Sequence, residues 1–549
     1  MRQDSHYDYV IVGAGTAGCV LAERLSADSA LRVCILEAGG QDRDPLIHIP
    51  IGLGKMQQHR LHDWGYNSEP EPGLDNRSIP ALRGKVLGGS SSINYMTHVR
   101  GNAGDYDRWA ANGCAGWSYA ETLPYFRRYE RWEDGENFWR GDHGPLGVRR
   151  LPNTDPFFEA LIAAAGECGF DSNPDYNGER QDGFGRTECT LRNGRRCSAA
   201  VAFLHPALRR PNLTLHRNAY ATRILMEGRR AVGVEYLAGG EPSRIVADRE
   251  VIVASGAYNS PQLLMLSGIG PADHLRDVGI VPVVDLPGVG GNLQDHPAVS
   301  LFFLRQTPGP FHALMRADRA ALAMLQAYFF GSGPATAIPG GVTGFLKTGG
   351  ANLAVPDVQF FTRSTALFAD VWFPGLRQPY IDGFAISPVL LHPRSRGRLS
   401  LRSGDPRDKP RILQNFFVEE EDLRTLREGV RIARELAGRA PLKPYRSGEK
   451  TPGGEVASAE EVANWMRRTA FSANHPCATC AMGTDEQAVL DPQLRVRGVD
   501  GLRVVDASAM PDLTSGNINA CVLMIADKAS DLILGRPPLP PAALPPAPR

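Results

Sequence analysis

Gly13, Gly15 and Gly18 stand in a G-x-G-x-x-G spacing directly after the apolar run Tyr9-Val10-Ile11-Val12. A helix-like run carrying Val20, Leu21 and Leu25 follows, then a second apolar run, Val33-Cys34-Ile35-Leu36, which ends in Glu37. Residues of these types in this order can hold a dinucleotide. Gly13 permits a sharp turn, Gly15 lets the backbone approach a pyrophosphate, and Gly18 lets a helix lie close on the strand before it. The helix opening at Thr16 and Ala17 offers free N–H groups and partial positive charge to phosphates. Glu37, with Ala38 beside it, can accept hydrogen bonds from a ribose 2′-OH. FAD and NAD both carry that hydroxyl, so the stretch leaves the choice between them open. One fingerprint gives no second dinucleotide site.

Other chemistry-bearing residues are ambiguous alone. Gly88-Gly89-Ser90-Ser91 exposes backbone N–H groups and small hydroxyls, which suits close approach to a flat ring or a pyrophosphate, or a plain glycine turn. His475, in Asn474-His475-Pro476, reads alone as a structural histidine, and Asn517, after Gly516, as a turn residue. Cys477 and Cys480 form one C-x-x-C; a single pair cannot supply four zinc ligands, so they read as structural thiols and no metal site is expected.

The elements that must position these residues follow from periodicity. Residues 1–40 form a βαβ unit, and 41–116, rich in Gly, Pro, Asn and Ser, read as a long functional connection. Helices are expected near 118–131, 155–169, 317–330, 419–438 and 519–533. Strands are expected at 212–217, across 221–236 with a turn at Glu227-Gly228, at 250–255 and at 502–506. Tyr258–Ser267 reads as a helix with Pro261 near its first turn, where a missing N–H is harmless. Between 297 and 450 strands group together, which predicts a mainly antiparallel sheet. Six phenylalanines there (Phe302, Phe303, Phe329, Phe330, Phe360, Phe361) suit an aliphatic or aromatic substrate, or a core. The Pro-rich residues 536–549 should be an extended tail.

Composition narrows the class. The chain has 549 residues, 42% hydrophobic and 22% charged, in the range of a globular protein of more than one domain. Lys+Arg and Asp+Glu are both 60, a balance that argues against a nucleic-acid partner. No run of 18 apolar residues predicts a membrane span, and no basic, apolar leader is visible. Nine scattered cysteines suit reduced thiols in the cytoplasm; peripheral contact with the inner face of the membrane stays open.

Two long stretches carry a family resemblance. Gly84-Lys85-Val86-Leu87-Gly88-Gly89-Ser90-Ser91-Ser92-Ile93-Asn94 resembles the first signature of the glucose–methanol–choline oxidoreductases, and Gly256-Ala257-Tyr258-Asn259-Ser260-Pro261-Gln262 through Gly270 the second. Gly291-Asn292-Leu293-Gln294-Asp295-His296 and the region from His475 to Asn517 also match, so the resemblance runs from about residue 7 to 534. It implies an α/β fold: a discontinuous Rossmann-like FAD-binding domain (1–155, 195–300, 455–535) and an α+β substrate domain (156–194, 301–454). It implies that Gly89 and Asn94 line the flavin, with Arg83, Lys85, Gly88 and Ser90 close by. Trp64, Ala221, Ala254, Gly256 and Ile518 join the cofactor site, and Asp506, before Ala507, faces ribityl or pyrophosphate oxygens, a reading compatible with a strand-end acid that caps the next turn. Members with covalent flavin carry a histidine where Ile93 stands, so FAD is expected to be non-covalent.

The resemblance also makes His475 the base that removes the hydroxyl proton of an alcohol. An imidazole titrating near neutral pH suits that task. Asn517 becomes the amide that holds the substrate oxygen. The expected activity is oxidation of a small-molecule alcohol, with electrons passed to a quinone-type or artificial acceptor or to oxygen. The rivals on the same fold are a hydroxynitrile-lyase-like enzyme, a photodecarboxylase and a non-catalytic flavoprotein. Cys477-Ala478 and Cys521 depart from the family pattern and bear on the fine shape of the pocket. The alcohol, the acceptor and the oligomeric state are not legible.

Overall fold

The computed structural model describes residues 5–152, 154–349, 353–366 and 369–545. Strand β1 (Ser5–Val12) leads into helix α1 (Thr16–Leu25) and strand β2 (Val33–Glu37). Helices α2 (Tyr119–Tyr129) and α3 (Phe157–Glu167) precede strand β3 (Gly183–Arg186). Four strands follow, β4 (Leu213–Arg217), β5 (Ala219–Glu227), β6 (Arg230–Ala238) and β7 (Glu241–Val253), then helix α4 (Gly256–Leu266). The middle of the chain supplies β8 (Leu301–Leu304), α5 (Ala317–Phe330), β9 (Gly340–Leu346), β10 (Val358–Arg363), β11 (Gly383–Leu390), α6 (Glu420–Gly438) and β12 (Gly448–Thr451). Strand β13 (Leu502–Val504) and helix α7 (Asn519–Ile533) close the fold.

Seven strands form the first sheet, in the order β5-β6-β7-β1-β2-β4 with β13 also on β7. The β7-β1-β2-β4 run and the β7–β13 pair are parallel, and β5-β6-β7 is an antiparallel meander. Every residue of β2 is buried, as a parallel strand covered on both faces must be. Helix α1 lies on it, and α7 packs against α1 and α2. Asp527 of α7, with a fully buried side chain, pairs with Arg24 at 2.6 Å and Arg128 at 2.8 Å. The second sheet is antiparallel, in the order β12-β8-β11-β10-β9-β3. One face of it, carrying Val358, Phe360, Ile386 and Leu390, packs with α3 and α6 into a second hydrophobic core.

Two prolines sit deeper in helices than the sequence suggests. Pro261 is the sixth residue of α4, not part of its first turn, so the carbonyl of Ala257 has no helical N–H to receive. The Thr479 hydroxyl fills that vacancy, donating to Ala257 O at 2.6 Å. Pro124 inside α2 likewise strands Ala120, whose carbonyl accepts the N–H of Ala542 at 2.8 Å. The described part of the Pro-rich tail, to residue 545, has no helix or strand, yet it is docked: Leu539 N–H also reaches Tyr125 Oη at 3.1 Å. Residues 1–4 and the last four of the tail lie outside the described residues.

A buried ionic cluster joins the two halves. Arg140, fully buried, reaches Glu130 at 3.0 Å, Glu188 at 2.9 Å and Asp175 at 2.6 Å, and Arg100 reaches Glu130 at 2.6 Å. It fixes the segments that carry Thr97 and Thr187 into the cavity described next.

Candidate active site

A cavity of about 630 Å³ runs from Glu37 and Ala38, past the glycine turn, to His475 and Asn517. Its floor is a junction of two glycine loops. Gly18 brings α1 onto β1: a Cβ there would fall 1.8 Å from Gly13 O. Gly89, at φ +52°, meets the fingerprint itself, since a Cβ would lie 2.8 Å from Gly15 Cα. Gly88 donates its N–H to Ala14 O at 2.8 Å. The first signature therefore seats on the first glycine turn, and only glycine allows that approach.

Most residues expected at the cofactor line this cavity. Gly13, Gly15, Thr16, Ala17, Glu37 and Ala38 lie at one end, with Trp64, Ala221, Ala254 and Gly256. Arg83, Gly89, Ser90, Asn94, Asp506, Ala507, Asn517 and Ile518 continue it toward His475. Three do not face it. Gly18 and Gly88 are used inside the loop junction, and Lys85 stands over the Trp64 ring with Nζ 4.6 Å from its centroid.

Two acids are committed inward. Glu37 accepts the N–H of Ala14 at 2.9 Å and of Gly39 at 2.7 Å. Burial raises its carboxyl to a pKa of about 7 against those bonds. Asp506 does not extend its carboxylate toward a ligand. One oxygen accepts from Gly256 N at 2.8 Å and Ser260 Oγ at 2.5 Å, the other from Ser508 N at 2.8 Å and Oγ at 2.6 Å. It caps the elements around it because the start of α4 and the turn after β13 both need acceptors at that point.

Sequence reasoning passed over several positioning groups. Arg196 is buried with no carboxylate partner among the described residues and ties Asn94 O at 2.7 Å, Asn94 Oδ1 at 2.8 Å and Ile47 O at 2.8 Å; burial lowers its pKa to about 9. Asp295 accepts the backbone N–H of His475 at 2.8 Å and the hydroxyl of Ser472 at 2.5 Å, and burial raises it to about 6. His296 places Nδ1 2.9 Å from Nδ1 of His475. Their signal was the Gln294-Asp295-His296 motif, which recorded that these residues matter but not which side chain they hold.

The His475 end is a polar chain. Gln359 of β10 donates to Asn517 Oδ1 at 3.3 Å, which turns the Asn517 amide N–H₂ toward His475 Nε2 at 3.0 Å. Nε2 is then an acceptor, its proton sits on Nδ1, and His296 Nδ1 receives it. Burial, with the nearby Arg83 charge, holds the His475 pKa at about 3. The near-neutral titration expected from sequence gives way to an imidazole that is neutral throughout the working range. His475 presents an unprotonated Nε2 as acceptor at any ordinary pH, and Asn517 can donate to an oxygen that is losing a proton.

The phenylalanine hint does not hold as a set. Phe361 lines the cavity, Phe303 and Phe360 are core, Phe302 covers Gly383, and Phe329 and Phe330 are on the surface. All nine cysteines are unpaired. Cys477, Cys480 and Cys521 are fully buried, with thiols pushed up by burial, which keeps them protonated and unreactive.

Residues 7–298 and 393–526 match the N-terminal and C-terminal regions of GMC oxidoreductases. The chain belongs to the GMC oxidoreductase family. It is 45% identical over 534 residues to a protein named oxygen-dependent choline dehydrogenase in Brucella ovis, covering 97% of this chain and 96% of that one. A protein of the same name in Sinorhizobium fredii has the same identity and coverage. Among solved structures, pyridoxine 4-oxidase from Mesorbium loti superposes with a TM-score of 0.86 at 29% identity, covering 97% of this chain and 100% of that one. A formate oxidase variant of Aspergillus oryzae RIB40 gives 0.90 at 29%, covering 97% and 99%. This GMC oxidoreductase is an FAD-dependent enzyme that oxidises alcohols. Its residues fit the cofactor: the uncapped start of α1 behind Gly15, the two-glycine cradle and the acid at Glu37 suit an adenine dinucleotide. FAD, when bound, supplies the acceptor for the hydride of the carbinol carbon.

Proposed function

We propose that His475 Nε2 removes the hydroxyl proton of the substrate alcohol while the Asn517 amide holds the oxygen, giving an aldehyde or ketone. The observation that carries this reading is the 3.0 Å Asn517–His475 contact at an imidazole kept neutral. Before substrate enters, the Asn517 donor is spent on Nε2. A substrate hydroxyl placed between them would accept from the amide and donate to the imidazole, so both groups act at one oxygen. FAD is held without a covalent link, because Ile93, in a small apolar cluster with Ile47, Met56 and Val86, has no atom to offer.

Those of the expected residues that line the cavity hold FAD from adenosine to flavin, and the antiparallel sheet roofs the substrate end, following the two-domain division above. Electrons pass to a quinone-type or artificial acceptor or to oxygen. The unpaired thiols suit the cytoplasm. Among the described residues no helix is long and apolar enough to cross a membrane. Leu322, Leu325, Phe329 and Phe330 are exposed on α5, which supports peripheral contact with a membrane surface.

An anaerobic alcohol panel followed by flavin absorbance tests the function. Bleaching in the dark, restored by oxygen or a quinone, is the expected result. Ketone or aldehyde release from a cyanohydrin with no bleaching by any alcohol would replace this reading with a lyase. Sedimentation with anionic vesicles, lost in a Leu322→Glu, Phe329→Glu double variant, tests the membrane contact; a holoenzyme left in the supernatant would refute it.

A further inference from the structure

We infer that the substrate alcohol carries an anionic group, a carboxylate or a phosphate, held by Arg363; this deepens the alcohol-oxidation reading and rests on it. Strand β10 has two faces. Val358 and Phe360 point into the second core, while Gln359, Phe361 and Arg363 share the other face. Gln359 is the residue that holds Asn517, and Phe361 and Arg363 line the cavity beyond it. At about 3.3 Å per residue, Arg363 Cα stands roughly 13 Å along the strand from Gln359 Cα. The cation therefore faces the same space as the reacting oxygen, several bonds away from it.

The cavity lining holds three acids and three arginines, Arg60, Arg83 and Arg363, and among the described residues only Arg363 lacks a close partner. Its three acids are all spent: Glu37 on Ala14 and Gly39, Asp506 as a cap, and Asp63 on Arg60 Nε at 2.7 Å and Arg83 N at 2.8 Å. Arg83 turns its guanidinium to the backbone oxygens of Leu82 and Asn474. Among the described residues the Arg363 side chain makes one long contact, Nη2 to Ser300 Oγ at 3.4 Å, and Ser387, which lines the cavity, donates to that same oxygen at 2.8 Å. Among the described residues no carboxylate lies within ion-pair distance of Arg363, although a guanidinium has five N–H donors to place. A carboxylate or phosphate would take two of them side by side. A quaternary ammonium would meet the Arg363 cation and no carboxylate free to pair with it. The name shared by the Brucella and Sinorhizobium relatives therefore does not carry its substrate over to this site.

The holoenzyme is assayed anaerobically with choline, 3,3-dimethylbutan-1-ol, 6-hydroxyhexanoate and 6-hydroxyhexyl phosphate, and kcat/KM is read from flavin reduction. One of the two anions should exceed the neutral alcohol by roughly 10- to 100-fold, the scale of a charged hydrogen-bonded contact, and which one leads separates carboxylate from phosphate. Arg363→Met should remove that preference through KM and leave the neutral alcohol within about 3-fold, and Arg363→Lys should keep part of it. Choline as the best substrate, or an unchanged preference in Arg363→Met, overturns the inference. A turnover-independent arm uses hexanoate, which cannot be oxidised. It should perturb the flavin spectrum of the wild type and not of Arg363→Met. If no alcohol bleaches the flavin while hexanoate still binds through Arg363, the anion site stands and the oxidation reading falls. If hexanoate has no effect on the wild type, the anion site falls.

Discussion

Thr479→Val removes one hydroxyl, four residues after His475, and the structure gives its cost. Thr479 is fully buried, and its Oγ1 donates at 2.6 Å to Ala257 O, the carbonyl that Pro261 cannot serve. Valine keeps the volume and leaves that carbonyl buried without a donor, which costs about 1–3 kcal/mol. In a Pro261→Ala background the helix regains an N–H at position 261, aimed at Ala257 O, and the same Thr479→Val change should cost only a few tenths to about 1 kcal/mol. The coupling between the two positions is then on the order of 1–2 kcal/mol. The assay is thermal unfolding of all four proteins at one saturating FAD concentration, since bound ligand shifts the midpoint by itself. At about 2–4 °C per kcal/mol for units of 150–250 residues, Thr479→Val should lower the apparent midpoint by roughly 2–8 °C, and the double variant should stay within about 2 °C of Pro261→Ala, on the same scale. An equal drop in both backgrounds would show that the hydroxyl is not replacing the missing N–H, and the argument would fail.

His475→Ala should keep FAD and lose roughly 10²–10⁴-fold in the rate of anaerobic flavin reduction; stopped-flow absorbance reads it, and a wild-type rate would make the residue structural. With the His475 pKa at about 3, the base is neutral above that value, so the wild-type reduction rate should be flat from pH 5 to 9 (roughly, for a neutral base) and fall only as the imidazole protonates at lower pH. A rise centred near neutral pH would count against this. Glu37→Gln leaves one of two backbone N–H groups facing an amide N–H₂, so FAD affinity measured by flavin fluorescence should weaken by about 1–2 kcal/mol. Arg140→Met strips Glu130 and Glu188 of a shared buried partner; a loss of about 3–5 kcal/mol is expected in urea unfolding, and a shift below about 1 kcal/mol would show the cluster relaxes without it.

The sequence by itself determined the parts whose physics is local. The glycine spacing after β1, the acid ending β2 and the grouping of strands between 297 and 450 each follow from backbone freedom or side-chain period. Those signals extend over only a few residues. The two long signatures placed His475, Asn517 and the flavin loop within one family without showing how they meet. Tertiary structure decided the rest. It seated Gly89 on Gly15 and put His296 behind His475. It brought Thr479 to a carbonyl 222 residues away in sequence. It also decided two points: Asp506 takes the capping role because neighbouring N–H groups claim its oxygens, and the near-neutral titration expected of His475 gives way to one far below neutral because burial and Arg83 disfavour its charged form. Neither could be read from residue type, since a pKa and a hydrogen-bond partner belong to the surroundings that folding assembles. Arg363 shows the same limit: its charge is in the sequence, but only the alternation of β10 sets it on the Gln359 face, where no carboxylate among the described residues pairs it.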